Sequence, residues 1–146
     1  MAKYHPPVGF HFSVEFLNIG SSQYDHQFQS VSGLSVELET EEIVEGGENR
    51  FKHKVPVRTN YPNLVLSRGV LVDSEVIKWV RLALENLVIQ PTDLMVKLLD
   101  ESHQPLQSWS IVHAYPVIWT LGDLNAEDNG LAIETLELTY NYFKII

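Results

Sequence analysis

The sequence predicts a mainly β protein, an antiparallel β-barrel or sandwich with one flanking α-helix. Apolar and polar residues alternate in about seven short segments, the pattern of half-buried strands. One stretch alone carries a helical apolar stripe, and no strand–helix–strand repeat calls for a parallel sheet. At 146 residues and 45% hydrophobic content, the chain is expected to form one domain, 1–146, with its own core.

The elements follow in chain order. Phe10, Phe12, Val14 and Phe16 alternate with His11, Ser13 and Glu15, so Gly9 to Leu17 reads as a strand. A polar turn around Gly20-Ser21-Ser22-Gln23 precedes an extended stretch from about Gln27 to Val44, in which Gly33 marks a bulge or bend. Val36 and Leu38 face one way there, and Glu37, Glu39 and Glu41 the other. Glu45-Gly46-Gly47-Glu48-Asn49 is a turn signal, after which Phe51, His53, Val55 and Val57 share a side, giving a long hairpin.

The first arm of this hairpin is acidic, and the second carries Arg50, Lys52, Lys54 and Arg58, so opposite charges can pair across the strands. Asn63 to Leu71 is a further strand. Asp73-Ser74 then offers an N-cap to a helix ending near Leu87, with Val76, Ile77, Val80, Ala83, Leu84 and Leu87 as its apolar stripe. Beyond Pro91, Asp93 to Leu99 is extended. Leu106 to Thr120 follows with Trp109, Ile111, Tyr115 and Trp119 in one register, and a last strand spans about Leu131 to Phe143 with Leu136, Leu138, Tyr140 and Tyr142 together. The chain closes on Ile145 and Ile146, apolar where unsupported ends are usually polar, which marks them as candidates for a contact in this sheet or a neighbour's.

Composition narrows the function. The formal charge of −9, from 19 acidic and 10 basic side chains, argues against general nucleic-acid binding, which needs Lys and Arg on phosphates. Without cysteine there is no disulfide, thiol nucleophile or thiolate metal site. The N-terminus lacks the apolar core of a signal peptide, and no run approaches the roughly 20 apolar residues of a membrane helix, so stable membrane insertion is not expected.

Catalytic and metal patterns are missing. Histidines 5, 11, 26, 53, 103 and 113 show no paired zinc spacing. The run from Asp123 to Gly130 departs from a calcium loop in the position of its glycine. Adjacent acids such as Glu41-Glu42 point apart on an extended chain, and no nucleophile elbow or phosphate loop occurs. The chain is expected not to be an enzyme and to need no cofactor.

The order of segments carries a resemblance. Phe28-Gln29-Ser30-Val31-Ser32-Gly33-Leu34, the acidic strand after it and the Glu45-Gly46-Gly47 turn resemble the opening of the tail-tube family of contractile phages and extracellular injection systems. Asn63 to Val70 is similar to the strand leading into that family's single helix, and Trp79 fits an aromatic position within it. Trp109 with Ala114-Tyr115-Pro116-Val117-Ile118-Trp119, and Ala132 to Tyr140, resemble its late strands, so the likeness spans nearly the whole chain.

The resemblance implies a β-barrel-like subunit in homohexameric rings that stack into a tube. The implied partners are a contractile sheath protein, baseplate and spike, and tube-terminator proteins, with protein or DNA cargo in the lumen. Assembly in the bacterial cytoplasm and release as a phage tail or tail-like particle follow from the same likeness. Glu37, Glu39 and Glu41 are candidates for an acidic lumen wall, the alternative being pairing with Lys52 and Lys54. The hairpin loop Glu42, Glu45, Gly46, Gly47, Glu48 and Asn49 is the candidate ring-stacking contact, from its length and charge. Other readings are a baseplate-proximal initiator ring, a ring-forming carrier resembling secreted type VI tube components, and a monomeric β-barrel that binds a small ligand in a concave pocket.

Overall fold

The computed structural model describes residues 11–20, 27–44, 46–47, 53–71, 74–124 and 132–146. Residues 1–10 and 21–26, Glu45, Glu48, Asn49, Arg50, Phe51, Lys52, Asp73 and residues 125–131, on which some of the expectations above fall, lie outside these residues.

β1 (His11–Phe16), β6 (Leu64–Gly69) and β7 (Thr92–Leu99) form at the segments that the sequence predicts as strands. The stretch after residue 26 divides into β2 (Gln27–Phe28), β3 (Ser30–Ser32) and β4 (Glu37–Ile43). The division falls at Gly33, whose φ of +94° belongs to glycine, and a Cβ there would lie 2.1 Å from the Asn63 carbonyl oxygen. β5 (His53–Asn60) completes the hairpin with β4.

One helix, α1 (Glu75–Asn86), starts at the expected cap: Ser74 Oγ accepts from the Ile77 N–H at 3.2 Å. β8 (Pro105–Leu121), β9 (Ile133–Thr139) and β10 (Tyr142–Ile145) follow. Eight strands form one antiparallel sheet in the order β2-β1-β7-β8-β9-β6-β3, with β10 also on β8, while β4 and β5 stand apart as a two-stranded sheet. β8 is the shared member. Its first half pairs with β7 and β10, its second with β9, so it carries the sheet from one layer to the other.

The core lies between the layers and under α1. Leu64, Leu66, Leu94, Val96, Ile111 and Leu138 have no exposed surface, each such side chain contributing about 1.5–3 kcal/mol by leaving water. Trp79 of α1 meets Phe16 edge to face at 5.6 Å, and its indole N–H donates to the Gln90 carbonyl at 2.7 Å. The helix therefore packs through Val76, Trp79, Val80 and Ala83. Leu84 and Leu87, expected in the stripe, are exposed instead: the buried face is centred on Trp79 and leaves Leu84 beside it, and Leu87 is the left-handed C-cap residue (φ 56°), where the helix ends.

Two bulges and a turn cause three further departures. In β8 the buried series changes from odd to even, from Ile111 to Ala114 and Pro116, so Trp109, Ile111, Tyr115 and Trp119 do not share one face. His113, at φ +61°, is the hinge of this shift: its N–H donates to Asp93 Oδ1 at 2.9 Å, and the register jumps from Leu94–Ile111 to Thr92–Ala114. The expected last strand is two, because the chain turns at Tyr140-Asn141 from β8's second half to its first, leaving Tyr142 exposed and Phe143 against the core. In β5 the register slips between Pro56 and Arg58, so Val57 does not keep the parity of His53 and Val55.

Candidate functional site

The β4–β5 hairpin differs from everything around it. All seven residues of β4 and all eight of β5 are exposed, including Leu38 at 56%. The pleat puts Glu37, Glu39 and Glu41 on one face, as their spacing predicts. Across the ladder they face Asn60, Arg58 and Val55, and Glu39 meets Arg58 Nε at 3.0 Å. The partner of Glu39 is thus Arg58 rather than a lysine. Glu42 is opposite Lys54 in the ladder, and Gly46 and Gly47 form the turn, Gly47 at φ +90°.

The root of the hairpin is held at both crossings. On entry, Gly33 packs against the Asn63 backbone, and its carbonyl accepts from the Tyr140 hydroxyl at 3.4 Å. On exit, the Tyr61 ring stands edge-on to Tyr140 at 5.9 Å and to Phe143 at 5.3 Å, and those two rings meet at 6.4 Å. Burial, reinforced by the nearby Tyr61 phenol, raises the Tyr140 pKa above its ordinary 10.0.

Two strand borders are open as well, among the described residues. β7 ends its pairing at Ala114, so beyond it, among the described residues, Tyr115–Leu121 of β8 pairs with β9 alone. β10 pairs with β8 alone and ends the sheet on its other side. Exposed Val117, Ile118 and Trp119 mark the first border and Ile145 the second. The backbone of Ile146 joins this protomer's own sheet, its N–H donating to the Ser108 carbonyl at 2.9 Å, while both terminal isoleucine side chains are about two-thirds exposed.

One charged network lies inside. Arg68, 3% exposed, donates from Nε to Glu134 Oε1 at 2.8 Å and from Nη2 to Ser74 Oγ at 2.8 Å, and its guanidinium lies 4.8 Å from the Phe28 ring centre. Trp119 Nε1 donates to the other Glu134 oxygen at 3.3 Å. The network ties β6, β8, β9 and the helix cap together, with every buried polar side-chain atom among the described residues satisfied. Sequence reading missed it, yet a signal existed: Arg68 continues the inward series Leu64, Leu66, and Glu134 the inward series Leu138, Leu136.

Among the described residues no group of histidines and acids can hold a metal ion. A cleft of about 1020 Å³, lined by Phe12, Phe28, Leu99 and Pro105, carries at its rim an ion pair between Lys97 and Glu15 at 3.1 Å. Its one buried charge, Arg68, already serves the network.

A sandwich with unpaired borders and a detached, exposed hairpin defines a structural subunit built to meet other chains. The chain belongs to the T4-like virus tail tube protein gp19 family, which it matches over residues 8–144. It is a structural tube protein of phage tails and tail-like contractile injection particles. It is similar, at 36% identity, to a chain in the six-fold symmetrised cryo-EM structure of the anti-feeding prophage (AFP) baseplate, over 97% of this chain and 95% of that one, with a TM-score of 0.83. A chain in the AFP tube-terminating cap is 26% identical over 100% of this chain and 94% of that one, at a TM-score of 0.76. A chain in the PVC sheath-tube complex of an extracellular contractile injection system shares the fold, at 24% identity over 99% and 94% and a TM-score of 0.78. No curated protein sequence matches significantly.

Proposed function

We propose that the chain, as one domain, forms homohexameric rings that stack into the inner tube of a contractile particle and enclose a cargo channel. The observation that carries this reading is the hairpin: two antiparallel strands without a packed face are marginal in water, so its stable form is one seated on another subunit. Ring closure joins the β8 border of one protomer to the β10 border of the next, with Ile145 and Ile146 at the contact, and removes both edges. Rings stack through the loop Glu42, Glu45, Gly46, Gly47, Glu48 and Asn49. Glu37, Glu39 and Glu41 face the channel, where negative charge discourages adhesion of an anionic cargo.

On this reading the subunit breaks no bond. A sheath surrounds it, a baseplate and spike lead it, a terminator caps it, and protein or DNA travels inside without the tube inserting stably in a membrane. Assembly takes place in the bacterial cytoplasm, with release as part of the particle. Electron microscopy and size-exclusion chromatography of the purified chain test the proposal. Rings or tubes are expected, and deletion of residues 45–48 should shorten stacks while sparing rings. A monomer whose cleft holds a small ligand would overturn it.

A second reading has its own support. Identity is higher to the chain from the AFP baseplate structure than to the chain from the AFP cap structure, which favours a ring next to the baseplate. Copy number in isolated particles decides: one or two rings' worth of protein means an initiator, and a copy number matching the sheath means the principal tube.

A further inference from the structure

We infer that Tyr61, Tyr140 and Phe143, together with Gly33, form a positioning clamp that fixes the angle at which the β4–β5 hairpin leaves the body, so that the free protomer already presents it in the docking pose. This rests on the reading of the hairpin as the arm that seats on a neighbouring subunit. Among the described residues the hairpin has no core of its own and shares no ladder with the main sheet, so its direction is decided where the chain crosses at its root. Both crossings are fixed by different means, and both means converge on Tyr140.

At the entry, contact is backbone on backbone. Gly33 approaches the Asn63 carbonyl more closely than any residue with a Cβ can, and the Tyr140 hydroxyl binds the Gly33 carbonyl. Ser35 N–H donates to the same carbonyl at 2.9 Å, tightening the bend just before β4. At the exit, Tyr61 follows β5 directly and is locked edge-on between Tyr140 and Phe143, an arrangement in which rotation of any ring loses two aromatic contacts. Asn63 Nδ2 adds a bond to Glu137 Oε1 at 3.4 Å, fastening the next residues to β9.

The energetic role is preorganisation: an arm that samples its docking pose only about a tenth of the time binds about tenfold more weakly. Tyr140 and Phe143 are therefore positioning residues that need not touch the neighbouring subunit.

The chain has no cysteine, so two engineered ones report the angle directly. Spin labels at Thr40→Cys in the hairpin and Glu85→Cys on α1 give the arm-to-body distance in the dissociated protomer. Tyr61→Ala should broaden that distribution and lower stacked material about tenfold. Tyr61→Phe, which keeps the ring, should restore both. Gly33→Ala should shift the mean distance. Tyr140→Phe, a gentler change that keeps all three rings, should broaden the distribution slightly and serves if Tyr61→Ala does not fold. An unchanged distribution in Tyr61→Ala or, failing that, in Tyr140→Phe overturns the clamp, as does a broadened one with normal stacking. Deletion of residues 45–48 separates the two ideas: if it leaves stacking intact, the docking arm itself is refuted whatever the distances show.

Discussion

The body and the hairpin use the same alternating chemistry to opposite ends. In β6, Leu64 and Leu66 point inward and vanish from solvent, and Val65 and Ser67 line the other side. In β4, Leu38 and Thr40 alternate with Glu37, Glu39 and Glu41 in the same way, yet among the described residues nothing covers either face. Alternation thus states that a strand will have two unlike environments without stating which molecule supplies them. In the body the second layer is intramolecular; for the hairpin, the proposed assembly supplies it from a neighbouring subunit.

The contrast can be broken most severely in the body. Arg68→Ala leaves the nearly enclosed Glu134 carboxyl without its guanidinium partner and strips a partner from the helix cap, so about 3–5 kcal/mol of stability should disappear. Urea melts check this, with an unshifted midpoint as the contrary result. The hairpin should answer in the reverse sense. Leu38→Asp is expected to move protomer stability by less than about 0.5 kcal/mol, as exposed positions do, while removing tubes in electron micrographs. Equal losses of stability would mean that β4 is packed within the protomer.

The smallest effect sharpens the boundary between the two regions. Tyr140 holds its proton more tightly in the fold than in the unfolded chain, because burial and then Tyr61 raise its pKa. Its contribution is therefore complete below pH 10.0 and falls as pH rises from there through the raised folded value. Melting temperature should decline more steeply above pH 10 in the parent chain than in Tyr140→Phe. Parallel curves would detach that phenol from stability.

Much of the body was legible from residue order. β6 keeps an unbroken period of two, β1 and β7 fall on the predicted segments, and Ser74 announces its helix by the chemistry of its side chain. The late strands were less so. The bulge at His113 is made by an Asp93 carboxylate on a neighbouring strand, and no glycine marks it, so parity carried across it fails. The turn at Tyr140-Asn141 is likewise set by pairing with β8. The grouping of Glu37, Glu39 and Glu41 was readable, since it needs only the pleat. Arg58 as the partner of Glu39 was not, because it depends on a register slip.

β8 carries a mechanical consequence. At about 3.3 Å per residue, its 17 residues make a single covalent strut roughly 50 Å long, with rungs to β7 and β10 at one end and to β9 at the other. A thrust along that strut loads many rungs in shear at once instead of peeling them in turn. Both layers thus hang on one covalent member, bent at His113.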